Sequence, residues 1–259
     1  TGTFTVGGGY SSTESFLATA SVSQNTFLGK GQRMVFSLGH SGLKTEYNIS
    51  FTEPYFMDKK VSAGFDLFRR DIDQTRYSSI REKTTGGALR MGFPLSDRLG
   101  NALTYRLAET EIHYTGVGIP SRILKAQEAM SPYLQSTLSD SLSWESLDNR
   151  LTPTEGRVHR LTADLSGLGG DVHFGRLVTE HHLYYPFDGD KEWVGHVRGR
   201  AGIEEGFGED IPIFERFFLG GSSSLRGFMT AGIGPRTVDG EAYGGTHFEQ
   251  LNAELFFPL

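Results

Sequence analysis

The fold is decided most clearly by residues 45–53, which read TEYNISFTE. In this stretch the apolar residues Tyr47, Ile49 and Phe51 alternate with polar or charged residues. Alternation with a period of two is typical of a β-strand, because successive side chains of an extended chain point to opposite faces. The stretch therefore predicts a strand with one apolar face and one polar face.

The same alternation recurs along the chain in segments of roughly ten residues separated by turn residues, and we count about twelve such strands. Mid-strand charges fall on the polar side; they are Asp66, Arg90, Arg106, Arg160, Asp164, Arg198, Arg200 and Glu254. A soluble β-sandwich or propeller also alternates, but a sandwich buries one face and would have a richer core of valine and isoleucine. The pattern favours a transmembrane β-barrel with a wet interior over a soluble β-protein, which stays open as the alternative.

The amino-acid composition excludes or disfavours several kinds of functional site and partner. The 259 residues include 34 glycines, 12% aromatic residues and no cysteine. Without cysteine there is no disulfide framework, thiolate metal site or cysteine nucleophile. The formal net charge of -6 gives a nucleic-acid partner little electrostatic support. Since no run of 18 apolar residues exists, an ordinary transmembrane helix is also excluded.

Residues 206–245 form a long segment with no clear strand, and residues 121–130 are expected to form a helical turn or two inside a loop. A structureless stretch of that length within a compact domain is normally functional. In a barrel the long segment must either hang outside or fold into the lumen.

Three motifs carry a family resemblance. The first is GGGYSS at residues 7–12; the second is NTFLGKGQ at residues 25–32, followed by SFTEPYF at residues 50–56; the third is FFLGGSSSLRGF at residues 217–228. In this order, over nearly the whole chain, they closely resemble the BamA family of outer-membrane assembly barrels. The SFTEPYF stretch favours BamA over TamA and the two-partner secretion transporters, which share the arginine loop more than this turn.

The resemblance implies an antiparallel transmembrane β-barrel in the outer membrane of a Gram-negative bacterium. The family has sixteen strands, so residues 1–259 are expected to be the barrel domain, truncated at its C-terminal end after about twelve strands and without the POTRA domains that precede it. Residues 206–245 correspond to the sixth extracellular loop, which folds into the lumen.

The resemblance also implies a loop–lumen clasp, formed by Leu225, Arg226, Gly227, Phe228 and Glu254. In the family the loop arginine pairs with acidic residues of the inner wall, and the alternation independently places Glu254 on the polar face. An arginine offers a planar fork of donors to a carboxylate. Gly227 is expected to let the loop approach the wall closely, and Phe228 to anchor it in a pocket. The alternative is an ordinary loop arginine beside a turn glycine.

The opening strand is expected to be the edge that receives client strands; its residues are Thr3, Phe4, Thr5, Val6, Gly7, Gly8, Gly9 and Tyr10. The family's first and last strands pair weakly and form a lateral gate, and glycines weaken a strand interior. The alternative is a glycine-rich strand that only bends or bulges. A periplasmic turn motif is also expected, with residues Phe51, Thr52, Glu53, Pro54, Tyr55 and Phe56.

The function implied is insertion and folding of β-barrel proteins in the outer membrane by strand templating, without enzymatic chemistry, cofactor or metal. The implied partners are unfolded outer-membrane clients, accessory lipoproteins of the BAM complex, periplasmic chaperones, and outer-membrane lipid and lipopolysaccharide. The alternatives are a two-partner-secretion or TamA-like translocation pore, a passive porin-like channel, and a soluble β-rich binding domain or hydrolase.

The sequence pattern disfavours a zinc site and a nucleophilic serine. The spacing of the histidines at 173, 181 and 182 matches no zinc motif, and the adjacent residues 181 and 182 of a strand point to opposite faces. Residues 220–224, GGSSS, lack the pattern of a nucleophile elbow. The acidic residues Glu204, Glu205, Glu209 and Asp210 are expected to be solvated or to bind cations together with lipopolysaccharide.

Overall fold

A computed structural model describes residues 2–11, 15–27, 31–75, 79–115 and 122–258. Its described part contains twelve strands: β1 (Gly2–Ser11), β2 (Ser15–Phe27), β3 (Gln32–Ser41), β4 (Lys44–Glu53), β5 (Ser62–Asp73), β6 (Ile80–Pro94), β7 (Leu99–Tyr114), β8 (Tyr133–Glu145), β9 (Gly156–Gly170), β10 (Phe174–Pro186), β11 (Val194–Gly206) and β12 (His247–Phe256). One helix, α1 (Arg122–Met130), and two short 3-10 turns, Phe56–Asp58 and Ile213–Glu215, complete the elements. Across these described ranges, no helix has the length and apolar character needed to span a membrane.

Each strand pairs antiparallel with its neighbours in sequence, so the sheet has the order β1 to β12. The prediction of about twelve antiparallel strands is confirmed. Among the strands that the structure describes the sheet is not closed, and β1 and β12 are its two edges.

The strand register separates two faces of the sheet. All eight mid-strand charges that the alternation predicted to share a face do so; for example, Arg90 lies opposite Thr104, and Glu254 lies opposite His196. We call this the inner face. The outer face carries exposed apolar side chains such as Leu89, Leu107, Leu161, Leu177, Val197 and Leu251. A wall that is charged inside and apolar outside is the arrangement predicted for a membrane barrel.

One exception interrupts the apolar outer face. Asp140 lies opposite Leu103 on β7 and is exposed, and its carboxylate accepts a hydrogen bond from the side-chain amide of Asn101. Neither residue belongs to the mid-strand charges named above.

The connections lie at two ends of the sheet. The loop end carries residues 42–43, 171–173 and the long segment between β11 and β12, and the turn end carries residues 54–61, 95–98, 146–155 and 187–193. The helix predicted within residues 121–130 is confirmed over Arg122–Met130, while Ser121 lies outside the described residues.

An apolar core lies at the loop end, where α1 and the beginning of the long segment pack on the strands. Its buried residues are Ile80, Ile112, Leu124, Tyr133, Val172, Phe174, Ile211 and Ile213. Gln127 of α1 connects the long segment to β8. Its side-chain Oε1 accepts a hydrogen bond from the backbone N–H of Ile213 at 2.9 Å, and its backbone carbonyl accepts one from the hydroxyl of Tyr133 at 2.9 Å. This core fixes where the long segment enters the inner face.

Candidate functional site

The long loop (residues 207–246) is attached to the inner face first through Glu215. One oxygen of its carboxylate lies 2.8 Å from Nη2 of Arg176 on β10, and the other lies 3.9 Å from Nη1 of Arg106 on β7. Arg176 is also paired with Glu204 at 2.8 Å and with Asp164 at 3.7 Å. Glu215 therefore ties the loop to two distant parts of the wall through a cluster of opposite charges.

The expectation that Glu204 is solvated is wrong. Its side chain is 0% exposed and is paired with Arg176. The physical reason is strand parity, because Glu204 lies on the inner face directly opposite Arg176, and a buried carboxylate needs a paired charge. Glu205, Glu209 and Asp210 are exposed.

Aromatic packing continues the attachment along the wall. The ring of Phe217 meets that of Phe248 on β12 edge to face, with centroids 4.7 Å apart. The guanidinium of Arg176 lies over Phe217 at 5.4 Å and over Phe174 at 4.8 Å. The charged cluster and the apolar contact thus share one arginine.

The loop tip lies on three successive inner-face residues of β12. The carbonyl oxygen of Ser224 accepts hydrogen bonds from Nε2 of Gln250 at 2.9 Å and from Nδ2 of Asn252 at 3.3 Å. One step further along both segments, Nη2 of Arg226 forms an ion pair with Oε1 of Glu254. The structure thus brings together Arg226 and Glu254, two of the five residues of the expected clasp.

Gly227 and Phe228 do not take the positions expected of them. Gly227 has a φ of 88°, and no atom of the described residues lies within 4 Å of where a Cβ would stand. Position 227 therefore favours glycine because its backbone is left-handed, and not because the loop approaches the wall closely there. Phe228 is 57% exposed, so the described residues form no pocket around it, whereas Leu225 is half-buried.

The second candidate feature is the edge of the sheet at β1. Every residue from Gly2 to Tyr10 is exposed, and within the described residues β1 pairs only with β2. The outer face of this strand presents Phe4, Val6 and Tyr10, which are 69%, 66% and 77% exposed. Its inner face carries Thr3, Thr5, Gly7 and Gly9, and Gly8 lies on the outer face.

The turn motif after β4 is held by hydrogen bonds at the turn end of the sheet. Glu53 accepts from the backbone N–H of Tyr55 at 3.1 Å and from Nε2 of Gln32 at 2.7 Å. Phe51 stacks on Phe65 with ring centroids 5.5 Å apart. Thr52 accepts from Arg90 at 3.3 Å, while Pro54 precedes the 3-10 turn and Phe56 begins it. Residues 28–30 of the preceding motif, and Ser12 of the first, lie outside the described residues.

Sequence reasoning missed four residues that hold the loop: Arg176, Glu215, Gln250 and Asn252. Gln250 and Asn252 share the parity of Glu254, so the alternation of β12 placed them on the polar face without indicating a partner. Glu215 lies in a segment without periodicity, where no pattern marks an inward side chain.

Comparison with known proteins decides the family. The model of the Omp85 superfamily domain matches residues 26–259. The chain belongs to the Omp85 superfamily. Among relatives of this Omp85 domain, the outer membrane protein assembly factors BamA of Nitratidesulfovibrio vulgaris and Neisseria meningitidis are each 28% identical, over 99% and 100% of the chain. The sorting and assembly machinery component 50 homolog of Mus musculus is 27% identical over 90% of the chain.

The Omp85 domain spans about a third of the length of these bacterial relatives, 32% and 34%, and 48% of the mouse protein. Among solved structures, BamA from Haemophilus ducreyi lacking POTRA domains 1–3 superposes with a TM-score of 0.87 at 24% identity, over 100% of this chain and 53% of that one. CdiB from Acinetobacter baumannii gives a TM-score of 0.57 at 13% identity, over 87% of this chain and 42% of that one. The predicted resemblance to BamA and the barrel fold are confirmed.

Proposed function

We propose that this Omp85 domain inserts and folds β-barrel proteins in the bacterial outer membrane, and that client strands add to the edge of β1. The observation that carries the proposal is that edge, which is exposed from Gly2 to Tyr10 and, within the described residues, pairs with β2 alone. The bacterial relatives are named as outer-membrane assembly factors, which supports the same activity in the same membrane.

The physical basis is the cost of an unpaired backbone. Each unsatisfied N–H or C=O in hydrocarbon costs several kcal/mol, so an open strand edge in lipid strongly favours the addition of another strand. Gly7, Gly8 and Gly9 contribute no side chains to the pairing of β1 with β2, which keeps this edge weak. A weak edge can accept a client strand and release it again.

The loop supports templating at the edge over passage through the lumen. Glu215, Ser224 and Arg226 are all bonded to inner-face residues, so the loop occupies the space that a translocated chain needs. The activity needs neither enzymatic chemistry nor a cofactor, since strand pairing itself supplies the free energy. Its protein partners are unfolded outer-membrane clients, periplasmic chaperones that deliver them, and accessory lipoproteins that assist their assembly. Its membrane partners are the surrounding lipid and lipopolysaccharide.

Photo-crosslinking in the natural protein tests the proposal. A photoreactive residue at Thr5 or Val6 on β1 is expected to capture many different β-barrel clients during their assembly. Leu89, on the outer face in the middle of the sheet, is the control and is expected to capture none. Equal client capture at Leu89 and at β1 would contradict the proposal.

The secretion-pore alternative predicts a different pattern. One dedicated substrate, captured at an inner-face residue such as Asn252 and not at Thr5, would support translocation. A high and steady conductance with the loop attached would instead favour a passive channel.

A further inference from the structure

A chain of four titratable side chains runs along the inner face from the loop clasp. The free carboxylate oxygen of Glu254, Oε2, lies 3.3 Å from Nδ1 of His196. Nε2 of His196 lies 3.0 Å from Nδ1 of His182, and Nε2 of His182 lies 3.1 Å from Oε1 of Glu180. Two imidazoles therefore join two carboxylates through three contacts of hydrogen-bond length.

The number of protons in this chain follows from its donors and acceptors. An ionised carboxylate only accepts, so each of the two outer contacts needs an N–H, and the contact between His196 and His182 needs a third. Two neutral imidazoles carry two N–H groups between them. The complete chain therefore holds one proton more than two neutral histidines and two carboxylates supply.

We infer that His196 and His182 are positioning residues, which hold Glu254 in place for Arg226 by means of this additional proton. The inference rests on the proposed function, in which the loop attached to the inner face occupies the lumen. With the proton bound, Glu254 is fixed from two sides, by the guanidinium and by the imidazole. When the proton is lost, one of the three contacts has no hydrogen and the restraint on Glu254 weakens.

The charged and titratable surroundings of the histidines come from every neighbouring element. They are Glu180 and Tyr184 on β10, Arg198 and Arg200 on β11, Arg160 on β9, Glu254 on β12 and Arg226 of the loop. Arg198 donates to Glu180 at 2.7 Å, which fixes the far end of the chain as a carboxylate acceptor. Tyr184 stacks on His196 with ring centroids 4.4 Å apart.

The sign of the pH dependence follows. The additional proton binds as the pH falls and is released as the pH rises. On the acid side the chain is complete and the loop tip is held; on the alkaline side one of the three hydrogen bonds is lost. The population of detached loop is expected to rise about tenfold, the equilibrium effect of one such hydrogen bond.

Two measurements on the natural protein in lipid nanodiscs test the inference. Imidazole ¹⁵N NMR is expected to find three N–H groups shared by His182 and His196 at pH 5.5 and two at pH 8.5. The chain has no cysteine, so nitroxide labels can be attached at introduced cysteines replacing Ser222 in the loop and Asp190 in the β10–β11 turn. Their distance distribution, measured by pulsed electron paramagnetic resonance, is expected to be narrow at pH 5.5 and broad at pH 8.5.

His196→Gln is expected to remove this pH dependence, because an amide does not titrate. His181→Gln is the matched control, since His181 lies on the outer face beside His159 and is expected to keep the wild-type response. Two neutral histidines at pH 5.5, or an unchanged pH dependence in His196→Gln, would overturn the inference. Client capture at Thr5 is scored separately, so a pH-dependent loop without client capture would refute the proposed function alone.

Discussion

The carbonyl oxygen of Ser224 accepts a hydrogen bond from Nε2 of Gln250 at 2.9 Å, two residues before Arg226 meets Glu254. The loop is therefore attached to β12 by a backbone contact as well as by an ion pair. Ser224 and Arg226 contact Gln250 and Glu254, in the same order along β12. The loop tip therefore runs alongside β12 over several residues. This relationship explains why the arginine is held at a fixed height in the barrel.

The ion pair at the tip is expected to be energetically coupled. Arg226→Ala and Glu254→Ala should each destabilise the domain and lower assembly activity, and the double variant should lose less than the sum. For residues in direct contact the coupling is about 0.5–3 kcal/mol. Urea unfolding of the four proteins in detergent micelles measures it. Strictly additive losses would show that these side chains do not interact.

Glu215 is expected to contribute more to loop attachment than other loop carboxylates. Its side chain is only 12% exposed and lies between Arg176 and Arg106. Glu215→Gln removes the charge that both guanidiniums face, and should reduce the free energy of unfolding by about 1–3 kcal/mol. Glu209→Gln, at an exposed position in the same loop, is the control and should change it by less than about 0.5 kcal/mol. Equal effects of the two substitutions would contradict the charge cluster as the anchor.

Much of this architecture could be predicted from sequence because a period of two is a local property. Tyr47, Ile49 and Phe51 identified a strand, and the position of Glu254 between Ala253 and Leu255 placed it on the polar face. The same rule applied to Ile203 and Glu204 would have turned Glu204 inward. The run of acidic residues there was instead interpreted as a solvated approach to the loop.

The loop contacts could not be predicted in the same way. Glu215 meets Arg176 and Arg106, which lie 39 and 109 residues earlier in the chain, because the strand register and the path of the loop bring them together. Local sequence encodes neither. The exposure of Phe228 was missed for the same reason, since a pocket depends on which distant residues surround it.

The turn between β8 and β9 is expected to depend on the ionisation of Asp148. Hydrogen bonds from the side chain and backbone of Thr154 and from the backbone of Glu155 hold the pKa of Asp148 well below its ordinary value. A depressed pKa in the folded state means that the stabilisation is fully present above about pH 4 and declines as the pH falls toward the depressed pKa. The turn should therefore stay ordered through pH 4.

Amide NMR of Thr154 and Glu155 between pH 7 and pH 2 measures this dependence. The amide shifts should hold steady through pH 4 and change only at lower pH, and Asp148→Asn should abolish the transition. A midpoint at the ordinary aspartate pKa would contradict the hydrogen-bonded turn.

Filling the glycine positions of β1 is expected to strengthen its pairing with β2. A Cβ at Gly8 or Gly9 would meet its nearest atom at 3.7 Å or 4.0 Å, which is ordinary van der Waals contact and requires no backbone shift. Gly8→Val and Gly9→Val should stabilise the strand by a few tenths to about 1 kcal/mol and lower the rate of client assembly. Gly39→Val in β3, where a Cβ also has free space, is the control and should leave assembly unchanged. Faster or unchanged assembly in the β1 variants would argue against a weak edge.

Disulfide scanning between β1 and the terminal strand of a client tests the central claim most directly, because residues 1–259 contain no cysteine that would compete with the introduced ones. Single cysteines are placed at Thr3, Phe4, Thr5 and Val6, each against a series of cysteines along the client strand. If the client adds to this edge, each β1 position should crosslink to one client position, and the partner should move along the client strand in step with the β1 position. Crosslinks without a fixed register, or none at β1 while assembly proceeds, would contradict strand templating.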